Sequence, residues 1–184
     1  MLSMLLAGLA LPATAAAFDL DALMRSLAQV RAGEATFVER RQIFQLDQTL
    51  ESSGRLSFAA PDTFVRETLK PRSERLAVVG NQLTMSQGSR SRTTALDAVP
   101  EAVVIVEAIR GTLTGSRTTL ERYFTPTLQG TPERWTLELV PRDARLRGQV
   151  TQLRLSGRQA QVREVQMTMA DGDRSVMQIE PVAP

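Results

Sequence analysis

The sequence of 184 residues contains no histidine and no cysteine. Their absence excludes a Ser-His-Asp triad, a Cys nucleophile, and any metal site built on imidazole or thiolate. It excludes disulfides as well, so an oxidising compartment is allowed but not required. No lipid-modified N-terminal cysteine is expected. Lysine is nearly missing, with Lys70 the sole example, and aromatics make up only 4% of the chain. Lys and Arg total 22 against 20 Asp and Glu, a net charge of +2. The pI near 9.9 therefore reflects the lack of groups that titrate between carboxylates and arginine. It does not report a strong basic patch. No run of like charges resembles a nucleic-acid-binding arm, and no nucleic-acid partner is expected. Nucleotide-binding loops, H-E-x-x-H and G-x-S-x-G are also absent. No cofactor and no metal is expected, and the chain reads as a non-enzyme. Counting leaves a carboxylate pair open, but a hydrolase working with carboxylates or serine alone is strongly disfavoured.

Long apolar runs are lacking too. The longest, Leu2 to Leu11, falls short of the about 20 residues of a membrane-spanning helix. Pro12 and Ala15-Ala16-Ala17 follow it. This is the order of a secretory signal peptide with an A-x-A cleavage site, although no Lys or Arg precedes the apolar run. The expectation is a signal peptide over 1–17 and a single soluble, monomeric domain over 18–184, located in the periplasm.

A helix should start directly after the cut. Asp19 suits an N-cap, and Phe18 can staple onto Leu23. Leu20, Leu23, Met24, Leu27 and Val30 form one apolar stripe, predicting a helix from Leu20 to Ala32, stopped by Gly33. The period then changes to two. Strands are predicted around Phe37 to Ile43, Leu56 to Phe58, Phe64 to Leu69, Arg75 to Val79, Gln82 to Ser86 and Arg90 to Leu96. Short turns join them, so neighbours should be antiparallel. Glu39, Arg40 and Arg41 read as a solvated edge or cross-strand charge pairs, and Ser52-Ser53-Gly54 as a turn or bulge. Around Pro100 the pattern turns helical, with Asp97 a candidate cap. Val103, Val104, Ile105, Val106, Ala108 and Ile109 crowd nearly all sides, so this helix must be buried or inserted into a cavity. A short helix over Arg117 to Tyr123 follows. Strands return at Trp135 to Leu139, Val150 to Ser156, Val165 to Met169 and Arg174 to Glu180. Asp171-Gly172-Asp173 reads as a turn.

The fold class is mainly β (α+β), with ten or eleven strands and three short helices. Each strand shows one apolar and one polar, arginine-rich face. A sheet of this size curls, and the helices must cover its concave side. A solid core is one outcome, and a lidded cavity is the other.

The order of residues resembles the LolA family of periplasmic lipoprotein carriers, most closely a divergent LolA-related branch. The resemblance is carried by Ala35-Thr36-Phe37-Val38-Glu39, Ser53-Gly54-Arg55-Leu56-Ser57-Phe58, Pro61-Asp62-Thr63-Phe64, Glu74-Arg75-Leu76-Ala77-Val78, Trp135-Thr136-Leu137-Glu138-Leu139-Val140-Pro141 and Ala170-Asp171-Gly172-Asp173-Arg174-Ser175. It implies an incomplete antiparallel barrel of about 11 strands closed by a helical lid. It implies a carrier of acylated lipoprotein or lipid cargo, moving between an inner-membrane exporter and an outer-membrane acceptor. Two departures stand out. Classical carriers follow Pro-x-x-Phe with Arg and an aromatic, whereas Val65 and Arg66 stand here. The aromatic-Tyr-Asp-Pro element after the glycine turn is replaced by Leu83-Thr84-Met85-Ser86-Gln87-Gly88. The related branch is associated with acyltransferase, polyene and exporter gene neighbourhoods, which implies an acylated or polyene lipid as an alternative cargo. A further alternative is a non-transporting envelope sensor or protein-binding module of the same fold. Expected lipid-binding residues are Phe37, Phe58, Phe64, Leu76, Val78, Leu83, Met85, Trp135, Leu137, Leu153, Met167 and Met169. Expected lid residues are Val103, Ile105, Val106 and Ile109.

Overall fold

The computed structural model describes residues 18–182, so the signal-peptide expectation for 1–17 lies outside the described residues. The first helix, α1 (Leu20–Leu27), begins where the capping signal placed it: the Ala22 amide donates to Asp19 Oδ1 at 2.8 Å. It ends earlier than the apolar stripe predicted. The Val30 amide still turns back to the Leu27 carbonyl, but the Arg31 carbonyl accepts from the Ala60 amide at 2.8 Å. The sheet thus claims the chain before a further helical turn can form.

Six strands follow as a meander: β1 (Ala32–Ile43), β2 (Gln48–Ala59), β3 (Thr63–Lys70), β4 (Glu74–Val79), β5 (Gln82–Gln87) and β6 (Arg90–Ala95). The chain then crosses through α2 (Pro100–Leu113) and α3 (Arg117–Tyr123). A second meander comprises β7 (Phe124–Thr131), β8 (Arg134–Pro141), α4 (Ala144–Arg147), β9 (Val150–Arg158), β10 (Gln161–Met169) and β11 (Arg174–Pro181). All pairs are antiparallel, in the order β6-β5-β4-β3-β2-β1-β11-β10-β9-β8-β7. The β1–β11 ladder joins the two meanders, leaving β6 and β7 as edges of an incomplete barrel.

Two elements escaped the sequence pattern. β7 contains Pro126 and Gly130, which break the alternation but are tolerated because β7 is an edge strand. α4 is a single turn, capped by Asp143 accepting from the Arg145 and Leu146 amides. The α2 cap also differs from expectation. Val99 occupies the N-cap without a side-chain bond, and Asp97 instead sits in a 3-10 turn, Leu96–Ala98. Pro100 does open the helix, where its missing N–H costs nothing. No helix among the described residues is long and apolar enough to cross a membrane.

The core lies on the concave side in two clusters. Under α1, α3 and α4, Trp135, Leu137, Leu139, Leu153 and Leu155 of β8 and β9 are packed against Leu23, Leu27, Leu120 and Leu146. Beneath α2, Phe58, Phe64, Val78 and Leu83 meet Val106, with Leu96 sealing the entry to the helix. α2 lies between them: Val104 and Ala108 join the first cluster, Val106 the second. Helix packing is close because Gly111 leaves room for the Leu120 side chain.

Gly157 plays the same part under the only tryptophan. A Cβ there would collide with the Trp135 ring and the Gln161 carbonyl, while Trp135 Nε1 donates to the Gln159 carbonyl at 2.9 Å. Gly157→Val is expected to lower stability by about 1–3 kcal/mol through overpacking. A urea melt followed by the single Trp fluorescence reads this as an earlier midpoint. An unchanged midpoint would remove Gly157 from this packing account.

Candidate lipid-binding face

Strand register assigns the faces that period two left open. Cross-strand partners share a face, so each ladder carries the assignment to the next strand. Phe58, Phe64, Val78, Leu83 and Thr94 form one row across β2 to β6. Leu56, Arg66, Leu76, Met85 and Arg92 form the next. On the other side Phe37 faces Ile179, Leu153 faces Met167 and Leu137 faces Leu155. All twelve expected residues thus point to the concave side, the side the helices occupy.

They are not equally available. Trp135, Leu137, Leu153 and Met169 are buried under α1, α3 and α4, with Met167 packed at the margin of that cluster. Phe58 and Phe64 stack with centroids 5.2 Å apart, and with Val78 and Leu83 they lie beneath α2. Phe37 is buried as well, but under the Arg66 guanidinium, 4.6 Å from the ring centroid. Leu76 and Met85 line an open cleft of about 430 Å³, together with Arg66, Thr68, Glu74, Gln87, Arg90 and Arg92. This volume lies in the range of small-molecule sites. Of the expected lid residues, Val103 and Ile109 pack at the margin of the α2 cluster with Val106 inside it, while Ile105 is half-buried and joins neither cluster. A polar tie adds to these contacts: Arg110 of α2 donates to the Gly80 carbonyl in the β4–β5 turn at 2.7 Å and pairs with buried Glu107.

The concave face is not uniformly apolar, which corrects the expectation of one apolar and one arginine-rich face. Arg40 does pair across strands with Glu51 on the exposed side. Glu39, however, points inward with its side chain 14% exposed, and Arg66 Nη2 reaches it at 2.6 Å. Ser175 and Ser52 donate to the same carboxylate. Ser52 and Gly54 lie within β2, with an irregularity in the ladder at Ser53/Gly54 and no turn. Arg41 also faces inward and holds buried Asp173 at 3.0 Å, while Asp173 accepts from the Phe44 amide. The Asp171-Gly172-Asp173 segment is thus a turn, with Gly172 at φ +95, and it ties the β1–β2 connection to β11. The physical reason for the misjudged Glu39 lies in parity: it shares its face with Phe37, and a charge can stay there once partners from β2, β3 and β11 surround it.

The concave face therefore runs from apolar beneath α2, through Leu76 and Met85, to charged groups at its far end. No group of three or more His, Cys, Asp or Glu that could hold a metal occurs among the described residues.

Burial works against ionisation of Glu39, but the Arg66 charge and hydrogen bonds from Ser175, Arg66 and Ser52 outweigh it and lower its pKa. A lowered folded pKa gives stability that is present above the unfolded value and lost as pH falls through the folded one. Glu39→Gln is expected to destabilise the protein at pH 7 by roughly 1–3 kcal/mol, the cost of an orphaned buried partner. The deficit should shrink in acid, below the normal glutamate range. Urea melts at pH 7 and pH 3 check this, and an equal deficit at both would contradict the charge argument.

A family model described as "Outer membrane lipoprotein carrier protein LolA-like" matches residues 12–180. No curated protein matches. Solved structures with a similar fold include a LolA superfamily protein from Nitrosomonas europaea, at 10% identity and TM-score 0.47, covering 89% of this chain and 92% of that one. Another is an outer membrane lipoprotein-sorting protein domain from Vibrio parahaemolyticus, at 13% identity and TM-score 0.45, with coverage of 87% and 88%. With the family model spanning nearly the whole chain and an open 11-stranded antiparallel sheet closed by helices, the protein belongs to the LolA-like family of outer membrane lipoprotein carrier proteins.

Proposed function

We propose that this protein is a periplasmic carrier that takes up acyl chains of a lipoprotein or acylated lipid on its concave face. Its cargo would come from an inner-membrane exporter and pass to an outer-membrane acceptor. Residues 1–17 direct export, and residues 18–184 act as one non-catalytic, monomeric unit. The observation that carries the reading is the placement of α2. The helix covers the row Phe58, Phe64, Val78 and Leu83, and Leu76 of the neighbouring row packs against this cluster and, with Met85, lines the open cleft. An acyl chain entering at Met85 meets an apolar track that lengthens as α2 moves outward. Each methylene removed from water contributes about 0.8 kcal/mol, so cargo can compete with α2 for the same surface.

The helix is held in a way that suits displacement. Thr112 of α2 has a fully buried hydroxyl without a hydrogen-bond partner, and Arg110 Nε is likewise unpartnered. Such groups cost free energy in the closed state, which lowers the work of opening. Expected lid residues Val103, Val106 and Ile109 would then change partner from sheet to cargo.

A second reading, a protein-binding or sensor module, draws on the other half of the sheet. There Trp135, Leu137 and Leu153 are already sealed under helices, leaving no room for cargo without a larger rearrangement.

Native mass spectrometry of protein purified from the periplasm without detergent separates the two. Bound acyl lipid or a lipopeptide supports the carrier. A bare mass that persists after incubation with membrane lipid extract supports the binding module. Val106→Asp, which puts a carboxylate against Phe58 and Phe64, is expected to cut retained lipid about tenfold, equivalent to uncovering about two methylenes. Wild-type retention in a variant with native circular dichroism would remove α2 from the cargo site.

A further inference from the structure

The cleft beside α2 has a charge pattern that the acyl-chain reading leaves unused. Four arginines line it: Arg66, Arg75, Arg90 and Arg92. Two are committed. Arg66 is held by Glu39, and Arg75 by Glu67 at 3.3 Å. Arg90 and Arg92, both on edge strand β6, are exposed and have no ion-pair partner among the described residues. The one acidic residue lining the cleft, Glu74, accepts instead from Gln87 Nε2 at 2.9 Å.

Arg90 and Arg92 are two positions apart on one strand, so their side chains leave the same face about 7 Å apart. Register sets Arg92 opposite Met85 and Met85 opposite Leu76, with Arg90 opposite Gln87. From β6 inward, this row thus passes from two free guanidiniums to two apolar side chains and then to Arg66, which Glu39 holds, while the stacked phenylalanines under α2 lie in the neighbouring row. Guanidinium groups bind phosphate oxygens through paired, charge-assisted hydrogen bonds. A chain lying on Met85 and Leu76 would set its head group at these two arginines.

We propose that the cleft selects acyl cargo with a net negative phosphate head group, an anionic phospholipid, held by Arg90 and Arg92 while its chain lies over Met85 and Leu76. The proposal rests on the carrier reading and adds the head-group class to it. The arginines add affinity for one head-group class only: the tail contacts serve any acyl chain, and the guanidiniums favour a phosphate that carries no cation of its own.

The test uses vesicles of equimolar phosphatidylglycerol and phosphatidylcholine with identical chains. The protein is incubated with them at low ionic strength, separated by flotation, and its bound lipid quantified by mass spectrometry. Wild type is expected to prefer phosphatidylglycerol about tenfold, corresponding to about 1.4 kcal/mol. The double variant Arg90→Gln, Arg92→Gln is expected to lose phosphatidylglycerol uptake about tenfold while phosphatidylcholine uptake stays at the wild-type level, giving a ratio near one. Because both residues are exposed on an edge strand, the fold should survive, and the unchanged phosphatidylcholine uptake verifies it. Added salt should shrink the wild-type preference, since the ions screen exposed charges. A wild type that binds both lipids equally, or a double variant that keeps the preference, overturns head-group selection and leaves the carrier intact. A wild type that takes up neither lipid overturns this inference as well, and the mass of the protein purified from the periplasm decides the carrier reading separately.

Discussion

The ladder between β1 and β11 is the constraint on which the rest depends. It joins residues from opposite ends of the chain, Ala35 with Pro181 through Gln42 with Arg174. Without it, two separate meanders would each expose a long unpaired edge and an apolar face. With it, every inward residue from β7 to β6 belongs to one continuous concave surface. The same pairing moves the open edges to β6 and β7, which are the strands flanking the helical segment. Of the helices, α2 and α3 connect these two edges, and α2 packs against the core clusters of both halves of the sheet.

A shared surface also brings unlike chemistry together. Glu39 from β1, Ser52 from β2, Arg66 from β3 and Ser175 from β11 come from four strands and meet at one carboxylate. A charge on an inward face is costly unless paired and hydrogen-bonded, and this one is both. The cluster divides the concave face into an apolar part below the helices and a polar part towards the β1–β2 connection. An amphiphile has the same division, with a chain that avoids water and a head that keeps it.

The two halves of the sheet differ in how fully they are covered. Three helices seal the β7–β10 half, where Trp135 and its neighbours form an ordinary solid core. One helix covers the β2–β5 half, and it leaves Leu76 and Met85 at a cleft. The proposed carrier would keep its stability in the first half and exchange its cover in the second. Buried, unpartnered polar atoms in α2 are compatible with that division, because a solid core seldom tolerates them.

Much of the architecture is determined by the sequence itself. Alternation sorted the twelve expected apolar residues by strand face, Asp19 marked the start of α1, and the crowded apolar run from Val103 to Ile109 required a buried helix. These are local consequences of side-chain periodicity and capping, which need no knowledge of what lies opposite. Tertiary structure decided what locality does not contain. It ended α1 at Leu27 because the Arg31 carbonyl bonds to the sheet, and it accepted Pro126 in β7 because that strand is an edge. It placed Glu39 and Arg41 inside because parity with Phe37 is enforced by ladders on both sides. It also separated covered residues such as Leu137 from available ones such as Met85. Those two have the same pattern in sequence, and only the path of the helices across the sheet distinguishes them.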